Sequence, residues 1–216
     1  MLSAEAEMLA RLVPPGTVVA AAGDATTPEP LPAEEAALVA RAVARRQREF
    51  SLGRMCARRA LRRLGREVRA IAAGPRGEPA WPAGTVGSIT HCAGFCAAAV
   101  AEHPALRGIG IDAERRREVG PAFVRAVCTP RERALGVDRG AGGLLVFSAK
   151  ESVYKCVSAL VGRVLDFAEV ELEPRRPGMF AVTSIAAAID PAQLVVRYHV
   201  SADLVLTTAF LVEVRA

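Results

Sequence analysis

Apolar positions follow a helical spacing in two long stretches of this 216-residue chain. One stretch runs from Ala33 towards Leu64, with an expected interruption at 51–53, and the other runs from Leu144 to Val161. Short apolar runs bounded by glycine, proline or polar clusters predict strands at 86–90, 95–101, 108–112, 194–201 and 204–214. The pattern therefore predicts a long helix and a hairpin-like sheet in each half of the chain, a mixed α/β (α+β) fold.

Proline and glycine indicate where regular structure stops. The first 32 residues are expected to be partly irregular, 74–84 is predicted to be a loop, and 136–143 is predicted to be a mobile loop. The run from Thr129 to Glu132 has a capping threonine, an N1 proline and an N3 glutamate, which predicts a helix start. A His-Pro pair at 103–104 predicts a hinge between the strand groups on either side.

The composition is that of a folded globular protein, with 51% apolar and 24% charged residues. No apolar run reaches the roughly 18 residues that a membrane helix needs, so no membrane association is expected. Glu5 and Glu7, without a basic stretch before them, argue against a secretory signal. Five cysteines, an odd number, argue against a disulfide framework and favour a cytoplasmic location.

Positive charge is concentrated in 41–69, which contains eleven arginines against two glutamates. An i, i+4 ridge on the predicted helix is formed by Arg54, Arg58, Arg62 and Arg66. Such a ridge suits a polyanion, either nucleic acid or the phosphates of a nucleotide-like cofactor, unless it is a solvated helix face. Aromatic residues make up only 5% of the chain and no nucleic-acid recognition motif is present, so nucleic acid is not an expected partner.

Two carboxylates end an apolar strand in the run GIGIDAE. Because side chains alternate along a strand, Asp112 and Glu114 point to one face and Ala113 to the other. Oxygen ligands of this kind suit Mg²⁺, which keeps waters and takes substrate phosphates as further ligands. The alternative is a solvated strand end. The pair Gly108-x-Gly110 lacks the third glycine of a dinucleotide loop and precedes acids rather than a helix.

The run FSAKESVYK places Glu151 and Lys155 on one helix face, four residues apart. The alternative is a surface ion pair that contributes a few tenths of a kcal/mol. That alternative is weakened because the chain has only two lysines, Lys150 and Lys155, and both lie beside this glutamate. An ammonium group is therefore indicated here.

The run GSITHC places His91 after a strand of small residues, where an imidazole and backbone amides can approach a phosphate. The alternative is a partly buried histidine that a neighbouring residue satisfies. A zinc site built from Cys92, Cys96, His91 and His103 is not expected, because the spacing matches no closed zinc site.

In their order along the chain these motifs resemble those of the 4′-phosphopantetheinyl transferases. The order is a basic helix, then Gly-Ser-x-x-His at 87–91, Gly-Ile-Asp-x-Glu at 110–114 and Phe-Ser-x-Lys-Glu-x-x-Tyr-Lys at 147–155. Within the family the chain resembles the surfactin/enterobactin-type class and its actinobacterial members. The resemblance covers roughly 33–167.

The resemblance implies an enzyme that transfers the phosphopantetheine arm of coenzyme A to a serine of an apo acyl or peptidyl carrier protein. Such carriers belong to fatty-acid, polyketide or non-ribosomal peptide synthases, and adenosine 3′,5′-bisphosphate leaves. Mg²⁺ is the implied cofactor, at the positions Asp112, Ala113, Glu114 and Glu151. Magnesium neutralises charge on the leaving phosphate in such reactions.

The resemblance also assigns catalytic roles. Asp112 and Glu151 act at the metal, Glu151 is the candidate general base for the incoming serine, and Lys155 stabilises or protonates the departing phosphate. A carboxylate beside cations is expected to have a low pKa, so positioning must supply most of its effect. Lys150 is the candidate residue that binds the pyrophosphate.

Coenzyme A contacts are implied for residues on both sides of the predicted hinge. Arg46 and Arg54 match positions that hold the adenylate 3′-phosphate, and His91, with Thr90 beside it, matches the family histidine near the phosphates. The full set of implied coenzyme A positions is Arg46, Arg54, Gly74, Pro75, Arg76, Thr90, His91, Asp112, Lys150, Glu151 and Lys155. Ala73 lies where relatives can carry a basic residue, which leaves a backbone contact there.

The implied fold has two similar halves with pseudo-twofold symmetry, 1–105 and 106–216, each a small antiparallel sheet packed on a long helix, active as a monomer. Three alternatives stay open: a non-catalytic coenzyme A or nucleotide-binding module, a nucleic-acid-binding protein, and the small trimeric transferase class dedicated to fatty-acid synthase. Chain length argues against the last of these. Carrier docking is assigned, as a hypothesis, to 121–127 or to 136–143.

Overall fold

The computed structural model describes residues 3–138, 140 and 142–213. Its first half contains two short helices, one helix of 20 residues and a three-stranded antiparallel sheet of order β1-β3-β2. The elements are α1 (Ala4–Leu12), β1 (Val18–Gly23), α2 (Ala33–Val39), α3 (Ala44–Arg63), β2 (Val86–Cys92) and β3 (Phe95–Ala101).

The second half contains a five-stranded antiparallel sheet of order β4-β8-β7-β6-β5 and a second helix of 20 residues. Its helices are α4 (Pro121–Val127), α5 (Pro130–Ala134) and α6 (Gly142–Val161), with 3₁₀ turns at Phe167–Glu169 and Pro191–Gln193. Its strands are β4 (Leu106–Arg115), β5 (Val170–Arg176), β6 (Met179–Ile185), β7 (Leu194–Val200) and β8 (Leu204–Val212). The predicted fold class, antiparallel sheets each packed on a long helix, is confirmed. None of the described helices is long and apolar enough to cross a bilayer.

Several local predictions are confirmed. The two predicted hairpins exist as β2–β3 and β7–β8, and the predicted second long helix is α6. Thr129 and Glu132 form the reciprocal capping box that opens α5. The predicted mobile loop at 136–143 includes 139 and 141, which lie outside the described residues, and α6 already begins at Gly142.

The predicted place of one helix interruption is wrong. The first long helix is interrupted between α2 and α3, at 40–43, and not at 51–53. Gly53 stays helical because it packs against β2, where an added Cβ would lie 2.9 Å from a methyl group of Ile89. Tertiary packing here outweighs the low helix propensity of glycine. The opening segment is partly irregular, as expected: it contains α1 and β1, while 13–17 and 24–32 lie outside helices and strands.

The two sheets meet at their edge strands, β2 and β4, which share no backbone ladder. Side-chain hydroxyls of β2 accept hydrogen bonds from the backbone of β4 instead. The Ile111 N–H donates to Ser88 Oγ at 3.0 Å, and the Ala113 N–H donates to Thr90 Oγ1 at 2.9 Å. A shared hydrophobic core lies beside this seam, and both halves contribute to it, with Leu9 and Phe95 packed in the same cluster as Ile111. The seam therefore holds the halves in one body and satisfies buried backbone donors.

The first strand of the second sheet lies directly against α6. A Cβ added to Gly108 would overlap the carbonyl oxygen of Cys156, and one added to Gly110 would overlap the carbonyl oxygen of Ser152. Glycine is required at both positions because the obstructing atoms are backbone. This close approach brings the carboxylate end of β4 to the side chains of α6.

The close approach predicts a large cost for Gly110→Ala. The added methyl must push α6 away from β4, so we expect the free energy of unfolding to fall by about 3 kcal/mol, the upper end of the range for overpacking. Denaturant unfolding measures this loss. Gly23→Ala is the matched control, since its Cβ would meet only ordinary contact at 3.7 Å; equal midpoints for the two variants would contradict the argument.

Candidate functional site

Asp112 is the centre of the site. It is buried near the end of β4 and accepts hydrogen bonds from two elements. Ser148 Oγ of α6 donates to Oδ2 at 2.8 Å, and Lys155 Nζ of α6 donates to Oδ1 at 2.6 Å. Thr90 Oγ1 of β2 makes a longer contact with Oδ1 at 3.4 Å. The carboxylate is therefore held by the seam on one side and by α6 on the other.

Glu114 and Glu151 are half-buried near Asp112. Burial is the main cause that raises the pKa of Glu114, and the Asp112 carboxylate adds to it. Burial also raises the pKa of Glu151, against the opposing effect of Lys155. At Glu151 the effect of desolvation on the pKa therefore outweighs that of the lysine.

The donor set fits a hard divalent cation by its chemistry. Among the described residues, no group of three or more His, Cys, Asp or Glu side chains has an arrangement that could hold a metal ion. Mg²⁺, however, usually takes one or two carboxylates and completes its shell with waters and substrate phosphates. Partly desolvated carboxylates of raised pKa beside Asp112 are sites where a cation relieves repulsion.

Ala113 and Thr90 lie at the seam and not in an open site. The Ala113 methyl is fully buried in the shared core, on the opposite face from Asp112, as strand alternation predicts. Ala113 was predicted to lie at the metal, and with its side chain in the core only its backbone could contact the ion. Thr90 is 1% exposed and spans the Ala113 N–H and Asp112. It orients Asp112 across the seam.

Lys150 is not at this site, which corrects its predicted contact with a pyrophosphate. Its side chain is 1% exposed and forms a buried ion pair with Glu132 at 2.8 Å. Its ammonium group also donates to the carbonyl oxygens of Val127 and Phe167, so all three of its hydrogens are used. Lys150 ties α4, α5 and the segment after α6 to the helix that carries Glu151.

A cleft of about 770 Å³ runs between the 74–80 loop, β2 and α6. It brings together predicted coenzyme A positions from both halves, namely Arg46, Gly74, Pro75, Arg76 and Lys155. Lys155 belongs to the cleft wall and to the partners of Asp112, so the cleft leads to the carboxylates.

Trp81 also lines the cleft, and sequence analysis did not single it out. Its indole lies on Gly87, where an added Cβ would be 2.8 Å from the ring. The signal that could have found it is its rarity, because it is the one tryptophan of the sequence.

Arg76 connects the cleft loop to the end of α6. Its guanidinium donates to the carbonyl oxygens of Ser158 and Gly162 at 3.1 and 3.0 Å and to Glu78 at 3.0 Å. A cation at a helix C-terminus is favoured by the helix dipole. Arg76, a predicted coenzyme A contact, therefore links the two halves of the chain by hydrogen bonds.

His91 extends from the end of β2 towards α3. Its Nε2 lies 3.1 Å from Glu49 Oε2. Partial burial lowers the pKa of His91, and the nearby charges of Arg46 and Lys155 lower it further, while Glu49 opposes them. His91 is therefore close enough to Arg46 and Lys155, two other predicted coenzyme A contacts, for their charges to affect its pKa.

Arg54 is 2% exposed and does not line the cleft. Its guanidinium lies 4.9 Å from the Phe50 ring centre, and burial lowers its pKa. Within the described part of the chain its Nη1 atom is buried without a hydrogen-bond partner. Arg58, the next residue of the predicted ridge, is buried against Glu35. The ridge is therefore not a continuous basic surface.

Two family models match the chain. One, described as the 4′-phosphopantetheinyl transferase N-terminal domain, matches residues 34–101, and the other, described as the 4′-phosphopantetheinyl transferase superfamily, matches residues 108–209. The matched ranges hold the arginine helix and the carboxylate site respectively.

Two of three similar curated proteins carry the same name as the family models. The chain is 46% identical over 145 residues to 4′-phosphopantetheinyl transferase Svp of Streptomyces mobaraensis, a match that covers 64% of this chain and 59% of the relative. It is 43% identical over 152 residues to PptT of Mycobacterium tuberculosis, covering 66% and 64%. Enterobactin synthase component D of Escherichia coli K12 is 37% identical over 117 residues, covering 51% and 54%. These matches span less than two thirds of each relative's length.

The two lysines allow a direct test of their different environments. Lys150→Met leaves the buried Glu132 carboxylate without its cation, so we expect a loss of about 3–5 kcal/mol of unfolding free energy. Lys155→Met is the matched control and should lose much less, because the Lys155 side chain is 27% exposed. Denaturant unfolding compares them; a Lys150→Met protein as stable as Lys155→Met would refute the buried-pair assignment.

The raised pKa of Glu151 predicts a pH-dependent gain in stability for Glu151→Gln. The folded protein disfavours ionised Glu151, so the wild type carries a penalty at pH 7 that disappears below the ordinary glutamate pKa, where the residue is protonated in both states. We expect a higher unfolding midpoint for the variant at pH 7 and no gain near pH 4. Exposed Glu118→Gln serves as the control, and a gain that does not change with pH would rule out this cause.

Proposed function

Because this chain belongs to the 4′-phosphopantetheinyl transferase superfamily, we propose that it transfers the phosphopantetheine arm of coenzyme A to a serine hydroxyl of an apo acyl or peptidyl carrier protein. Adenosine 3′,5′-bisphosphate is the proposed second product. The observation that carries the proposal is the meeting of a cation-lined cleft with the Asp112 cluster at Lys155. The cation-lined cleft suits a substrate with several phosphates, and the Asp112 cluster suits proton transfer.

Coenzyme A is proposed to lie in the cleft between the two halves. Arg46 at the rim and the backbone of Gly74 to Arg76 would contact its phosphates, with His91 near them. Arg54 does not line this cleft, so it is proposed as a contact for the 3′-phosphate on one observation alone: its buried Nη1 has no partner among the described residues, and a buried donor needs an acceptor. Lys150 is left out because its donors are used elsewhere.

Asp112 and Glu114 would hold the divalent cation that this family typically uses, with Mg²⁺ as the proposed ion and Glu151 as a further acidic group beside it. When bound, such an ion neutralises charge on a pyrophosphate. Glu151 is proposed to take the proton of the carrier serine; because a cation bound beside it would lower its pKa, its position must supply most of that effect.

Lys155 is the proposed partner of the leaving phosphate. Its ammonium group donates to Asp112 and to the Ile111 carbonyl oxygen, and it also faces the cleft. Moving one of these hydrogen bonds to a phosphate oxygen would place positive charge where negative charge develops.

The two halves, 1–105 and 106–216, are proposed to divide this work. The first supplies the coenzyme A arginines and the second supplies the carboxylates and α6. Activity as a monomer is proposed because a single chain contains every proposed catalytic group, and a cytoplasmic location is proposed because its five cysteines are free thiols.

The proposed reaction is tested by intact-protein mass spectrometry of an apo carrier protein incubated with this chain, coenzyme A and MgCl₂. We expect a mass gain of one phosphopantetheine that disappears with EDTA. Glu151→Gln should lower the initial rate by about 10²–10⁴-fold, the usual contribution of a general base. Glu118→Gln, an exposed acid outside the cluster, should keep the wild-type rate.

The outcomes separate the two main alternatives. No mass gain with several unrelated carriers, together with coenzyme A binding, would replace the transferase proposal with a non-catalytic coenzyme A-binding module. A mass gain that Glu151→Gln leaves unchanged would keep the reaction and remove Glu151 as the base.

A further inference from the structure

We propose that three buried hydroxyl groups, those of Ser152, Thr207 and Ser148, form a positioning chain that fixes the Asp112 carboxylate for its cation and for Lys155. The inference deepens the proposed function and rests on it for the role of Asp112. It assigns work to Thr207, a residue of β8 outside every motif in the sequence.

The three hydroxyls are in continuous contact. Ser152 Oγ lies 2.6 Å from Thr207 Oγ1, Thr207 Oγ1 lies 2.9 Å from Ser148 Oγ, and Ser148 Oγ lies 2.8 Å from Asp112 Oδ2. All three side chains are fully buried, with no exposed surface. The chain therefore forms without competition from bulk water.

Counting hydrogens gives the chain a direction. Ser148 has one hydroxyl hydrogen, and Asp112 Oδ2 offers it an acceptor. Thr207 can then donate to Ser148, either to Oγ or to the carbonyl oxygen at 2.8 Å, and Ser152 can donate to Thr207. A carboxylate accepts and does not donate, so the contact between Ser148 Oγ and Asp112 Oδ2 is a hydrogen bond only when Ser148 donates, and this sets the direction of the series. Buried polar chains of this kind reinforce one another when every member is satisfied.

Strand register explains why Thr207 is in reach. Asp112 of β4 is the direct cross-strand partner of Thr207 of β8, so the two side chains lie on the same face of the sheet, under α6. Thr208, the next residue, lies on the opposite face, where its hydroxyl donates to the Leu12 carbonyl oxygen. The two threonines share type and burial but differ in face.

The chain gives Asp112 a partner that does not depend on Lys155. Oδ1 is held by Lys155, which must give up this contact if it turns to a substrate phosphate. Oδ2 is held by Ser148, and Ser148 is held by Thr207. The carboxylate therefore keeps its orientation while the lysine changes partner, which is the service that outer hydrogen bonds give to metal ligands.

The test compares Thr207→Val with Thr208→Val. Each removes one buried hydroxyl from β8, so both should lower stability to a similar extent. Only Thr207→Val should weaken binding of Mn²⁺, used as the probe ion without coenzyme A or carrier, by about tenfold or more. In the mass-spectrometric assay it should lower kcat and leave KM for coenzyme A near the wild-type value. Thr207→Ser should restore both properties.

Two results would overturn the proposal: Mn²⁺ affinity and kcat unchanged in folded Thr207→Val, or an equal loss in both valine variants. If Thr207→Val does not fold, Ser148→Ala replaces it, with the same expected loss of Mn²⁺ affinity. If the wild type transfers phosphopantetheine but Thr207→Val binds Mn²⁺ as tightly as the wild type, the positioning chain is refuted and the proposed reaction stands. Loss of Mn²⁺ affinity in the variant, with no transfer by the wild type, removes the proposed reaction alone.

Discussion

The contact between two buried edge strands is the constraint on which the rest of the structure depends. Edge strands carry backbone groups without ladder partners, and burying such a donor unpaired costs about 1–3 kcal/mol. Here β2 and β4 pack against each other. The hydroxyls of Ser88 and Thr90 accept hydrogen bonds from the buried N–H groups of Ile111 and Ala113. Asp112 lies between those two backbone groups, so the seam that joins the halves also sets its place.

Burial decides what each charged group does here. Lys150 and Lys155 are five residues apart on one helix and each faces a carboxylate. Lys150 is enclosed with Glu132 and its three donors are fixed, so it can only stabilise. Lys155 is a quarter exposed at the cleft wall and can exchange partners. The arginines differ in the same way: Arg58 is buried with Glu35, while Arg46 is exposed in the cleft wall.

Sequence motifs predicted many of the local elements, and the grouping of Asp112 with Lys155, from local information. Strand alternation fixed the faces of Asp112 and Ala113, and helical spacing put Glu151 beside Lys155. What the sequence could not supply depends on tertiary packing. The burial of Lys150, the helical Gly53 and the cross-strand pairing of Asp112 with Thr207 follow from which surfaces meet. No spacing rule connects positions that are 95 residues apart by number, 112 and 207.

The single tryptophan has an optical consequence. Trp81 is half-buried on Gly87 in the wall of the cleft, and no other indole contributes to the ultraviolet emission of the chain. The tryptophan fluorescence of the whole protein is therefore the fluorescence of one cleft residue, whose surroundings change when anything displaces water there. The fold thus contains its own spectroscopic reporter at the place where the two halves face each other.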